Sequence, residues 1–486
     1  MTSIFSILFV LILTTTGCSH NGLQPSFNPD NFQKTELLYN QFIEGESPNI
    51  AQLNLFFNKM PKGGDLHHHY SGSIYAETYL DWTEAANYLI NKNTFKIVKD
   101  SDTKDKACCI SVRELRSDTE LYRKLLTLWS DKDYQNHYHQ QPPPDVNFFN
   151  SFGYFGPISQ NYGDGLKLLR QQAIKENVSY IETMLSSVGY SIQDTAFDEN
   201  VRKTSNPVIM ASNFDELSSI LEADPELNKK IDEFVHKIEM AHQGMDDDLF
   251  MMRYQTYASR NGTPSVVFSA LYSAFKAVGK NKLLVGINFV GPENGIVAIG
   301  DYNLHMRMIA YLRQKFPGVN LALHAGELTL GMVPPKELTF HIAKAIDIAG
   351  AQRIGHGVDL PYEEDPTALL RRMKEKSVVE INFTSNEFIL GVKEREHPYM
   401  IYRAYDVPMV ISTDDSGVSR NNLSAEYVLL ARRYKPSYQT IKNYVFNSIR
   451  YAFLSEELKP VLSSTLKARF EQFEAEMAAY SDLVLK

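Results

Sequence analysis

From about Asn49 onward the chain is divided by eight short apolar runs, most of them ending in polar residues, with longer stretches between them. The runs are GDLHHHYSG (about 63–72), VSYIETML (178–185), MRYQTYAS (252–259), LLVGINFV (283–290), NLALHAGE (320–327), RIGHGV (353–358), VVEINFT (378–384) and PMVIST (408–413). Between them lie amphipathic segments such as NLHMRMIAYLRQKF (303–316) and ALLRRMKEK (368–376). Strands alternating with helices make a parallel sheet, either closed as a (β/α)8 barrel or open and doubly wound. No G-x-G-x-x-G follows the first strand, and polar residues collect at the strand ends. Both features favour the barrel. The segment of about 73–147 after the first strand contains helical stretches and the proline-rich QQPPPD (140–145). Excess chain there falls at the C-terminal face of a barrel, where it can form a lid.

Composition narrows the function. The chain has 486 residues, 43% hydrophobic and 22% charged, the profile of a globular protein. A net charge of −9 leaves no basic field for nucleic acid. Three cysteines cannot build a disulfide framework or a cysteine-rich zinc site, so any metal must be held by histidines and carboxylates. At the N-terminus, IFSILFVLIL (4–13) is too short to span a bilayer, and it meets TTTGC as a secretory segment meets its cleavage site. The Gly17-Cys18 junction resembles a bacterial lipoprotein signal in which Cys18 is lipidated; a plain secretory signal or a buried helix is the alternative. This predicts a signal at 1–17, a polar tether at 18–48 and the barrel over 49–486. It also predicts a cell-envelope or secreted location, with the membrane met only through the lipid.

The reactive residues collect at the strand ends. His67 and His69 stand at i and i+2, so in a strand their imidazoles share a face while His68 points away. An isolated H-x-H is more often a surface loop, and a lone Asp-Asp pair a solvated helix cap. His324 followed by Glu327, and Asp414 followed by Asp415, end two further strands. Together His67, His69, His324 and Asp414 form a set suited to Zn²⁺ with a position left for water. His356, between Gly355 and Gly357, ends another strand and is placed to orient an attacking hydroxide. LLVGINFV carries no bridging Lys or Glu, so one zinc per chain is expected.

MPKGGDLHHHYSGS, LHAGE, RIGHG and STDD, in this order and spacing, resemble the adenosine deaminase family of the amidohydrolase superfamily, and GINFVGPE (286–293) is similar to its fourth-strand segment. The MPKG start and FNSIRYAFLS (446–455) are closer to the secreted adenosine-deaminase-related growth-factor branch. The resemblance implies a zinc-dependent hydrolysis of adenosine or 2′-deoxyadenosine to the inosine product and ammonia, with a purine nucleoside as the partner molecule. By motif, His67, His69, His324 and Asp414 would bind zinc and Glu327 would protonate the purine N1. His356 would orient the nucleophile and stabilise the oxyanion, Asp415 would hydrogen-bond N7, and Gly291 would contact N3 or N1. Phe148, Phe149 and Phe152 stand at helical spacing like the family's apolar gate, with core packing as the alternative.

The family carries an acid shortly after H-x-H for the ribose 5′-hydroxyl; here the stretch is Tyr70-Ser71-Gly72. Ser71 is a weaker partner than a carboxylate, which leaves room for a 5′-altered nucleoside as substrate; an N6-modified adenine nucleoside is a separate alternative. A non-catalytic nucleoside binder is the remaining alternative, and it has no need of Glu327.

Overall fold

The computed structural model describes residues 28–99, 101, 106–132 and 142–484. The expected signal segment (1–17) and Cys18 lie outside them. Eight parallel strands form the centre: β1 (Gly63–His69), β2 (Val178–Ser186), β3 (Met251–Ser259), β4 (Leu284–Val290), β5 (Ala322–Ala325), β6 (Arg353–His356), β7 (Val378–Ile381) and β8 (Met409–Ile411). β1 to β4 pair in sequence as one four-stranded sheet and β5 to β8 as another. Two parallel bridges join the sheets, Ile287 to Leu321 between β4 and β5 and His68 to Asp414 between β8 and β1. At the second seam the Asp414 N–H donates to the His67 carbonyl at 2.9 Å, and the His69 N–H to the Asp414 carbonyl at 3.3 Å. The sheet therefore closes on itself, as the alternating pattern predicts.

Strands such as β4 (LVGINFV) and β8 (MVI) read as nearly continuous apolar runs because both of their faces are covered. Helices wrap the outside, among them Pro264–Val278, Tyr302–Lys315, Pro366–Lys376, Leu423–Tyr434 and Tyr438–Arg450. Four helices begin with an Asn or Asp cap followed by proline: Asn28-Pro29, Asn206-Pro207, Asp224-Pro225 and Asp365-Pro366. The cap oxygen accepts an otherwise unpaired N–H of the first turn, and proline has no N–H to lose there. No helix among the described residues is long and apolar enough to cross a membrane.

The tether expected at 18–48 is corrected over residues 29–43. Pro29–Ile43 is an α-helix capped by Asn28, with Leu38, Tyr39, Phe42 and Ile43 buried along one side. It packs on the C-terminal helix Leu458–Val484. The stretch reads as polar because its apolar residues form one helical stripe rather than a run.

The segment after β1 is more than helices. It folds as the helix Ala76–Ala85, a small antiparallel sheet (Leu89–Asn91 between Ile97–Val98 and Cys109–Ser111), and the helices Val112–Ser117, Thr119–Trp129 and Pro144–Ser151. The last of these lays Phe148 against Ile389 and Val418, beside the helix Phe383–Leu390 that follows β7.

Candidate active site

The C-terminal ends of β1, β5, β6 and β8 bring their polar residues to one point. One ligand atom from each of His67, His69, His324 and Asp414 lies within 4.8 Å of all the others, and Glu327, His356 and Asp414 form an overlapping group. His69 Nε2 is 3.3 Å from His324 Nε2, and the Asp414 carboxylate is 3.2 Å from His69 Nε2 and 3.4 Å from His67 Nε2. His356 and Asp414 have positive φ values of 73° and 61°. Left-handed backbone costs a residue with a side chain about 1–3 kcal/mol and tends to persist where function holds it. His68 points the other way, as expected, with Nδ1 2.9 Å from Thr183 Oγ1.

Neighbouring groups fix which ring nitrogens are bare. His67 Nδ1 meets the Glu380 carboxylate at 2.6 Å. A carboxylate only accepts, so that nitrogen carries the proton and Nε2 offers a lone pair; Nε2 is buried and makes no hydrogen bond. The Phe289 N–H donates to Asn288 Oδ1, which fixes the amide, and the same oxygen faces His324 Nδ1 at 2.7 Å. His324 Nε2 is therefore also bare. Lone pairs converging on a carboxylate are unfavourable unless a cation lies between them. The donor set fits a divalent metal, and nitrogen with one carboxylate oxygen suits zinc.

The electrostatics agree. Burial alone would lower His67, but Asp414 and Glu380 outweigh it and push the imidazole up to about 10, so without a metal a second proton takes the Nε2 lone pair that a cation would otherwise use. Burial, then the charges of Asp414 and Glu293, push Glu327 up to about 8. Burial and the adjacent Asp414 hold Asp415 well above the usual carboxylate range. Glu293 responds the other way. Burial would raise it, but Arg260 and His341 hold it down at about 2, and it accepts from the Glu327 N–H at 2.9 Å and the Gly326 N–H at 3.2 Å. A charged Glu293 thus fixes the backbone of a neutral Glu327.

Two glycines make the convergence possible. A Cβ on Gly355 would stand 2.6 Å from the His67 ring, and one on Gly72 would overlap the Asp415 carboxyl.

Above the cluster is a cavity of about 270 Å³. It is lined by all of the expected contact residues: Ser71, Phe148, Phe149, Phe152, Gly291 and Asp415, together with His69, His324, Glu327, His356 and Asp414. Tyr257 and Val290 complete the lining, and no Lys or Arg is among the described lining residues. Sequence reasoning missed Tyr257, Glu293, Asn288 and Glu380. A glutamate inside the apolar run VVEI was a usable signal for Glu380; the others lie in no pattern that separates them from ordinary strand residues.

A family profile described as adenosine deaminase matches residues 214–469. An adenosine deaminase of Clostridium perfringens strain SM101 is 31% identical over 191 residues, covering 37% of this chain and 53% of that protein. The chain thus spans about half the length of that relative and of others like it. An adenosine deaminase of Clostridium kluyveri is 24% identical over 412 residues, covering 83% of this chain and 93% of the relative. Among solved structures, the N6-methyl-AMP deaminase of Arabidopsis thaliana superposes with a TM-score of 0.55 at 16% identity, covering 85% of this chain and 98% of that one. That likeness is one of fold.

Proposed function

The chain belongs to the adenosine deaminase family, and on that premise we propose that it hydrolyses the 6-amino group from adenosine or 2′-deoxyadenosine. The observation that carries this is the meeting, in one cavity, of a cation-seeking cluster with a carboxyl held neutral beside it. His67, His69, His324 and Asp414 would hold one zinc ion. Such an ion supplies a Lewis acid that activates water as nucleophile at neutral pH.

The chain's own groups do the rest. Glu327, protonated, donates to the purine N1 and makes C6 electrophilic. Asp415 is also kept protonated, which suits it to donate to N7, an atom that only accepts. His356 stands 3.6 Å from Glu327 and faces the same space, where the attacking oxygen is oriented. Phe148, Phe149 and Phe152 cover the apolar side and exclude water, which strengthens every charge interaction within. Water adds at C6, the C6–N bond breaks, and inosine and ammonia leave.

The lining favours a nucleoside over a nucleotide, because it offers no Lys or Arg to a phosphate. A 5′-altered nucleoside is a second reading. Its support is Ser71, an uncharged residue lining the cavity where the family carries an acid.

The test is a panel of adenosine, 2′-deoxyadenosine, 5′-deoxyadenosine, N6-methyladenosine, adenine and AMP, following ammonia release and purine absorbance on zinc-loaded protein. Turnover of the nucleosides with one zinc per chain is expected. Conversion of AMP or adenine in preference to every nucleoside would overturn the reading.

A further inference from the structure

A line of buried groups runs from a backbone amide to His356 and sets where that imidazole carries its proton. The Tyr399 N–H donates to His397 Nδ1 at 3.1 Å. A backbone amide can only donate, so this ring nitrogen is bare. Burial, with Arg433 and His356 nearby, pushes the His397 imidazole down to about 3. It is neutral, and its single N–H is on Nε2. That N–H faces Asn386 Oδ1 at 3.0 Å, which leaves the Asn386 NH2 facing His356 Nδ1 at 2.8 Å. Only this orientation of the amide satisfies both neighbours. An NH2 group only donates, so His356 Nδ1 accepts; a doubly protonated ring would set N–H against N–H. The proton of His356 is then on Nε2. That atom is buried, has no hydrogen-bond partner among the described residues, and stands 3.6 Å from Glu327 and 3.7 Å from Asp414.

We propose that Asn386 and His397 are positioning residues that lock His356 in its Nε2–H form, so that it meets the reacting oxygen as a hydrogen-bond donor and not as a proton acceptor. This rests on the deaminase reading for what His356 faces. The tautomer itself follows from the hydrogen bonds alone. A donor fixed before substrate arrives stabilises negative charge developing on the oxygen that joins C6, without reorganising during the reaction. Neither Asn386 nor His397 lines the cavity. Both act through His356, with Asn386 carried by the helix Phe383–Leu390 and His397 by the loop after it.

The test compares Asn386→Asp with the parent enzyme. The substitution keeps the shape, but a carboxylate accepts from both neighbours, so the His356 proton should move to Nδ1. Long-range ¹H–¹⁵N correlation spectra of histidine-labelled protein read this directly, with or without turnover. We expect the parent to show His356 protonated at Nε2 and the variant at Nδ1. Turnover should fall about 100-fold, the scale for losing one oxyanion donor, with KM within threefold and metal content unchanged. Should Asn386→Asp not fold, His397→Leu and His397→Gln replace it. His397→Leu frees the amide to turn and should lower kcat, and His397→Gln, which keeps an N–H donor, should recover most of that loss. An Nδ1–H tautomer in the parent overturns the proposal, as does a switched tautomer with kcat retained or His397→Gln no better than His397→Leu. Absence of deaminase activity with an Nε2–H ring would instead count against the substrate reading.

Discussion

In the proposed reaction Glu327 has to hold a proton when the purine arrives, and its surroundings favour that by burial and by two nearby negative charges. Glu327→Gln should keep fold and bound metal yet lose about 10²–10⁴ in kcat, the usual worth of a placed general acid; metal analysis alongside steady-state rates checks both halves. The working form is the protonated one, so activity is present below the pKa and is lost as pH rises through it. A cation beside Asp414 pulls this carboxyl downward, so the alkaline limb of kcat/KM should fall at or below about pH 8, and the residual rate of Glu327→Gln should lack it. At this scale much of the site was legible. His67, His69, His324, His356, Glu327 and Asp414 are reactive residue types at strand ends, where a barrel gathers what it needs. Asn386, His397 and Asn288 were not legible, because their part depends on which atom faces which neighbour, and a sequence holds no such direction.

Among elements, the helix Pro29–Ile43 is built into the body, with Leu38 and Tyr39 fully buried. Leu38→Ala should cost about 2–5 kcal/mol of unfolding free energy, as deleting a buried leucine side chain does; denaturant titration of the two proteins would show it. The helix Pro144–Ser151 is a different case, because Phe148 lies over the cavity and is 3% exposed. Phe148→Ala should raise KM for adenosine about tenfold, the equivalent of about 1.4 kcal/mol of lost burial, with kcat changed less than threefold. An unchanged KM would make Phe148 a packing residue only. Strands such as β4, β7 and β8 were readable from their apolar runs, since burial on both faces writes them plainly, whereas β1 and β6 were marked by their polar motifs. The first helix was not read, because its stripe of Leu38, Tyr39, Phe42 and Ile43 is diluted by polar neighbours. The small sheet after Ala76–Ala85 was missed because strands of two or three residues are too short to show a period.

For the molecule as a whole, the closed ring of strands and its covering segment decide which substrates enter. With Ser71 and no described carboxylate at the lining beyond Glu327, Asp414 and Asp415, 5′-deoxyadenosine should be deaminated within about tenfold of adenosine, or about 1.4 kcal/mol. A preference for adenosine of a thousandfold would reveal a strong 5′ partner reaching in from elsewhere. The ring also carries its reactive centre at one of its two seams. Asp414 exchanges hydrogen bonds with His67 and His69 across the β8–β1 seam while turning its carboxylate to the cavity. It would therefore be a buckle as well as a ligand: the hoop of strands is fastened at the spot where a cation would be gripped. Stripping the metal should slacken one side of the hoop and leave the other tight. Deuterium uptake at the His69 and Asp414 amides should then quicken on chelation, while the Ile287 amide, bonded to Asn320 across the opposite seam, stays protected; equal change at both would mean that the fold closes without help from its reactive centre.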